Sequence, residues 1–132
     1  MESPRNRILC VEDHEDTAEM MKVLLEMSNY EVVLAHTAAD GLHLASSEHF
    51  DLHLLDSRLP DASGFELCRR ICALAGHAPV VFVSGDAYAA DKLRGLTAGA
   101  LAYLTKPIDV KALEITMTRL INKAMGRGIS NA

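Results

Sequence analysis

Ile8-Leu9-Cys10-Val11-Glu12-Asp13 runs four apolar residues straight into two acids. A short run that is apolar on both faces reads as a strand buried on both sides, as in a parallel sheet. Similar runs follow at Glu31-Val32-Val33-Leu34-Ala35, Leu52 to Leu55, Pro79-Val80-Val81-Phe82-Val83 and Ala100 to Leu104. The segments between them have helical character. In the first, Met20, Met21, Leu24, Leu25 and Met27 recur at spacings of three and four, which predicts a helix with this stripe in the core. The last helix is predicted from about Asp109 to Lys123, capped by Asp109 and buried along Leu113, Met117, Leu120 and Ile121. Parallel strands need crossover connections, and these are right-handed. Strands alternating with helices in this way predict an α/β fold, a (βα)₅ doubly wound five-stranded parallel sheet with helices on both faces.

A chain of 132 residues is the length of one domain. We expect a domain at 7–124, a short N-terminal extension at 1–6 and a flexible tail at 125–132. Hydrophobic residues make up 49% and charged residues 23%, the balance of a chain that folds alone. A net charge of -5 with no cluster of Lys and Arg argues against direct nucleic-acid binding. No apolar stretch approaches the roughly 20 residues of a membrane span, and Met1 to Arg7 lacks the apolar core of a signal peptide, so no membrane insertion and a cytoplasmic location are expected. Cys10, Cys68 and Cys72 are odd in number, and the latter two lie one helical turn apart, so all three read as reduced thiols without a metal.

In doubly wound sheets ligands bind beyond the carboxyl ends of the strands, where strand order reverses. Those ends carry Glu12 and Asp13, then Asp56, then Ser84, then Thr105-Lys106-Pro107. Carboxylates brought together raise one another's pKa unless a cation joins them, and hard oxygen donors at an open site suit Mg²⁺, with Mn²⁺ as a substitute. The ion would leave Asp56 ionised and able to attack phosphorus, while Lys106 and the Ser84 hydroxyl offset charge on the phosphoryl oxygens. The expected chemistry is phosphoryl transfer to an aspartate. An acyl phosphate is labile, so the signal would be reversible.

The chain resembles the receiver domains of two-component response regulators. The resemblance rests on Ile8 to Asp13, Asp51-Leu52-His53-Leu54-Leu55-Asp56, Leu59-Pro60-Asp61 with Gly64, Val80-Val81-Phe82-Val83-Ser84-Gly85, and Gly99-Ala100 followed by Tyr103-Leu104-Thr105-Lys106-Pro107. It implies a flavodoxin-like fold and a stand-alone, chemotaxis-regulator-like signalling switch rather than an enzyme. It further implies Mg²⁺ held by Asp13, Asp56 and the Arg58 backbone carbonyl, with Glu12 helping directly or through water. Asp56 would take its phosphoryl group from a phosphohistidine on a sensor histidine kinase or a histidine phosphotransfer protein. Ser84 and Tyr103 would form a switch pair, and Pro107 would be a cis proline aiming Lys106. A downstream protein would read the surface of the fourth helix, fifth strand and fifth helix, with the chain a monomer or a phosphorylation-dependent dimer through that face.

Arg58 and Asp86 flank the expected route of an attacking water, and are expected to pair across the site and slow hydrolysis. His53 is expected to be a hydrogen-bonded core or edge histidine, and His14 a surface residue at a helix start. Glu12-Asp13 would also suit the cap of the first helix. Three other readings compete: a receiver cut from a hybrid kinase or larger regulator, a haloacid-dehalogenase-like phosphatase, and a pseudo-receiver without phosphorylation. The phosphatase requires a second Asp where this chain has Arg58, and its metal-binding acids after the Lys rather than before it. Intact Asp13, Asp56, Ser84 and Lys106 argue against the pseudo-receiver.

Overall fold

The computed structural model describes residues 5–126, so most of the expected extension at 1–6 and tail at 125–132 lies outside the described residues. The apolar runs become five parallel strands, β1 (Arg7–Val11), β2 (Glu31–Ala35), β3 (Leu52–Leu55), β4 (Val80–Ser84) and β5 (Ala102–Thr105). They alternate with α1 (Glu15–Met27), α2 (Ala38–Ser47), α3 (Gly64–Cys72), α4 (Ala89–Thr97) and α5 (Val110–Ala124). Strand order is β2-β1-β3-β4-β5, which places the reversal between β1 and β3. This is the expected doubly wound sheet.

The period-2 alternation of side chains sorts each strand between two cores. Ile8, Cys10, Leu52, Leu54, Val81 and Val83 pack with Met21 and Leu25 of α1 and Leu113, Met117, Leu120 and Ile121 of α5. Leu9, Val11, Leu55, Val80 and Phe82 pack on the other face with Phe65, Leu67, Cys68 and Ile71 of α3 and with Ala38 and Ala98. Asp109 caps α5 by accepting from the Ala112 N–H at 3.2 Å, as its sequence predicts.

Three expectations need correction. Met20 and Met27 do not join the core: they are 47% and 78% exposed, and only Ala18, Met21 and Leu25 of α1 are buried. Met20 lies about 100° around the helix from Met21, so one sheet face does not receive both. The fifth strand begins later than expected, because the Ala100 N–H is used to close α4 on the Gly95 carbonyl. Pairing starts when Leu101 donates to Val80.

His53 is the third. It is 4% exposed within β3, and its Nδ1 has no hydrogen-bond partner among the described residues. Burial pushes its pKa down to about 4, with the backbone of Ala78 and Pro79 only partly offsetting that. A His with a depressed folded pKa gives stability that is complete above its unfolded pKa of about 6.5 and lost as pH falls toward the folded value. The native state should therefore lose about 2 kcal/mol between pH 7 and pH 5 through this residue alone. Urea unfolding at the two pH values reads it, and His53→Leu should remove that part of the pH dependence; an unchanged slope in the variant would refute the assignment.

Candidate functional site

Three of the sequence-predicted residues at the carboxyl rim are anchored by backbone bonds that extend the sheet past the ends of its strands. Glu12 N–H donates to the Ala35 carbonyl (2.9 Å), Asp56 N–H to Val11 (3.1 Å) and Lys106 N–H to Ser84 (2.8 Å). The side chains thus leave the sheet from fixed points. One carboxylate oxygen from each of Glu12, Asp13 and Asp56 lies within 4.8 Å of the others. Glu12 is buried, Asp56 half-buried and Asp13 exposed.

Lys106 bridges two of these acids, its Nζ lying 2.6 Å from Glu12 Oε1 and 3.0 Å from Asp56 Oδ2. Burial raises the Glu12 pKa, and the Lys106 ammonium works against that rise. Burial also disfavours the ammonium, but its bonds to Glu12 and Asp56 outweigh this and its pKa goes up. The remaining Asp56 oxygen, Oδ1, accepts from the Arg58 N–H at 3.3 Å. The donor set of three convergent carboxylates, one of them exposed, fits a hard divalent cation. The Lys106–Pro107 peptide is cis.

Ser84 is turned elsewhere. Its Oγ lies 2.5 Å from the Oγ of Ser57 and accepts from the Asp86 N–H at 3.0 Å. Ser57, which sequence reading overlooks, is 3% exposed and donates to Asp86 Oδ2 at 2.8 Å. Arg58 grips the same carboxylate with Nε on Oδ2 and Nη2 on Oδ1, both at 2.9 Å, so the two charges do pair. The guanidinium, followed by Ser57, lowers the Asp86 pKa.

Tyr103 joins this group from β5. Its hydroxyl donates to the Asp86 carbonyl at 2.7 Å. Its ring packs 5.6 Å from that of Phe82, which in turn lies 5.1 Å from Phe65. Gly95 of α4 leaves the space: a Cβ there would stand 2.8 Å from Tyr103 and 3.0 Å from Phe82.

The loop after β3 is held equally closely. Gly64 N–H donates to the Ser57 carbonyl at 2.8 Å. Asp61 accepts from the N–H groups of Ala38 and Ala39 (2.8 and 2.9 Å), capping α2, and these bonds lower its pKa. Glu12-Asp13 do not cap α1: His14 does, with Nδ1 accepting from the Thr17 N–H at 3.3 Å. Glu12 instead accepts from the His14 N–H at 3.1 Å, which keeps its carboxylate beside Asp56.

A doubly wound domain with an acidic, lysine-bridged pocket at its strand-order reversal defines a narrow class of proteins. The family model of the response regulator receiver domain matches residues 8–118, and the chain belongs to that family. A CheY-like receiver domain protein from Methanospirillum hungatei JF-1 is 33% identical with a TM-score of 0.86, covering 94% of this chain and 99% of that one. The receiver domain of sensor histidine kinase PA1611 from Pseudomonas aeruginosa PAO1, solved with a magnesium ion coordinated in its active site cleft, is 28% identical with a TM-score of 0.83, covering 89% and 98%. The uncharacterized transcriptional regulatory protein YkoG of Bacillus subtilis (strain 168) is 36% identical over 109 residues, 83% of this chain and 48% of its own length. The chain thus spans about half the length of the curated relatives it matches. Among the described residues no helix is long and apolar enough to cross a membrane.

Proposed function

We propose that residues 7–124 form a phosphoacceptor receiver that takes a phosphoryl group onto Asp56 from a phosphohistidine, on a sensor histidine kinase or a histidine phosphotransfer protein. The observation that carries this reading is the convergence of Glu12, Asp13, Asp56 and Lys106 at one mouth. An Asp56 carboxylate oxygen forms the new O–P bond as the bond from phosphorus to the donor's imidazole nitrogen breaks, and that nitrogen keeps the electron pair. Glu12, Asp13 and Asp56, with the Arg58 carbonyl, would hold Mg²⁺, which when bound supplies positive charge against both the carboxylates and the phosphoryl oxygens. Lys106 exchanges its bond to Asp56 for one to a phosphoryl oxygen, and Ser84 donates its hydroxyl proton to another.

The switch pair is Ser84 and Tyr103, already connected through Asp86. Their movement would reach the exposed apolar residues Leu93, Leu96 and Leu101 beside β5, the surface a downstream protein would read. Whether that protein lies on the same polypeptide, as in a larger regulator or hybrid kinase, or on another leaves this chemistry unchanged. The Arg58–Asp86 pair is assigned to phosphoryl lifetime.

Incubation of the chain with Mg²⁺ and acetyl phosphate should add one phosphoryl group by intact mass, and Asp56→Asn should add none. A mass gain that persists in Asp56→Asn, or no gain with either acetyl phosphate or a phosphorylated kinase, would refute the reading. After the donor is removed, Arg58→Ala should lose the adduct several-fold faster than wild type; equal rates would remove the pair from the mechanism.

A further inference from the structure

The hydrogen bonds around Ser84 fix where its single proton lies. The Asp86 carboxylate has no proton to give, so in the Ser57–Asp86 bond Ser57 is the donor. A serine hydroxyl has one proton, so Ser57 Oγ meets Ser84 Oγ only as an acceptor. Ser84 must therefore donate to Ser57, while its own oxygen accepts from the Asp86 N–H. The single proton of Ser84 is committed to Ser57 in a site that is 3% exposed at Ser57 and 1% at Ser84, where water does not compete freely. Arg58 fixes the far end by holding both Asp86 oxygens.

We propose that Ser57 is a positioning residue, a latch that keeps the Ser84 proton away from the phosphoryl site until a phosphoryl group arrives. The proposal rests on Asp56 being the phosphoacceptor. Phosphoryl binding must break the Ser84–Ser57 bond before Ser84 reaches a phosphoryl oxygen, so the latch stabilises the resting state over the active one. A ligand shifts such an equilibrium only by its preference for one state, and weakening the resting state raises apparent affinity for whatever binds the active one. Ser57 also conveys the Arg58–Asp86 pair inward. The surface pair thereby acts on Ser84 through a hydroxyl that touches neither metal nor phosphorus.

The test titrates the full chain with beryllofluoride, a phosphoryl mimic, at saturating Mg²⁺, followed by NMR. Ser57→Ala should bind the mimic about 3- to 10-fold more tightly, the range expected from one hydrogen bond lost by the resting state alone. Its Mg²⁺ affinity should stay within about twofold of wild type, since that variant keeps every carboxylate, and Ser57→Thr should restore wild-type behaviour. Should Ser57→Ala fail to fold, Ser57→Cys carries the same expectation to a smaller degree, because a thiol of nearly the same size is a weak hydrogen-bond acceptor for the Ser84 hydroxyl. Unchanged or weaker binding in the variant, with normal binding by wild type, overturns the latch alone. Absence of binding by wild type overturns the assignment of Asp56 and the latch together.

Discussion

Replacing Lys106 with Ala is expected to lower the rate of phosphoryl uptake from acetyl phosphate at least ~100-fold, the loss typical when a preorganised donor to developing negative charge is removed. The same change should leave Mg²⁺ binding as tight or tighter. Without metal, Lys106 occupies the place of a cation, bonded to Glu12 at 2.6 Å and Asp56 at 3.0 Å, and it competes for two of the three carboxylates. Its removal also strands Glu12, whose side chain is 6% exposed. Breaking a partly buried pair on one side should destabilise the metal-free protein by about 1–2 kcal/mol, less than the roughly 3–5 kcal/mol of a fully buried one. Thermal melts with and without Mg²⁺ separate these effects: the variant should gain more from the metal than wild type does. A parallel loss of metal binding and uptake would instead mean that Lys106 only supports the shape of the pocket.

Gly64→Ala should be among the most destabilising single changes in the chain. A Cβ at this position would stand 1.9 Å from the Asp56 carbonyl oxygen and 2.9 Å from Ser57 Cα. Both are backbone atoms that no rotamer change relieves. The loop must move by about 1 Å or α3 must lift off, and we expect a loss of about 3 kcal/mol or more and a Tm about 10 °C lower. Because the clash falls on the peptide that carries Asp56, uptake of phosphoryl groups should suffer even in the folded fraction. Denaturant unfolding with an uptake assay at low temperature reads both, and a variant of wild-type stability would show that the loop is softer than its contacts indicate.

The sheet was legible because each strand is an apolar run and the rim residues directly follow such runs, so knowing where the strands end locates Glu12, Asp56 and Lys106. Ala100 misled as strand because it is apolar, whereas its N–H closes α4 on the Gly95 carbonyl, next to Gly99, whose φ is +115°. His14 as a helix cap escaped because two acids beside it are the usual choice there. Ser57 was illegible for a different reason. A serine after a strand reads as loop, and its meaning comes from Ser84 and Asp86, which are 27 and 29 residues away in sequence. Pairs of that kind are made by tertiary packing, and no local pattern announces them.

The division of each strand between two cores gives β4 a double inheritance. Val81 and Val83 answer to α1 and α5, while Phe82 stands between Phe65 and Tyr103 on the opposite side. Over generations the two sets of positions can therefore accumulate changes under separate constraints. One side answers to how α1 and α5 pack on the sheet, while the other answers to the aromatic row that ends at Tyr103. A single strand of five residues can thus record two histories, one in its odd positions and one in its even.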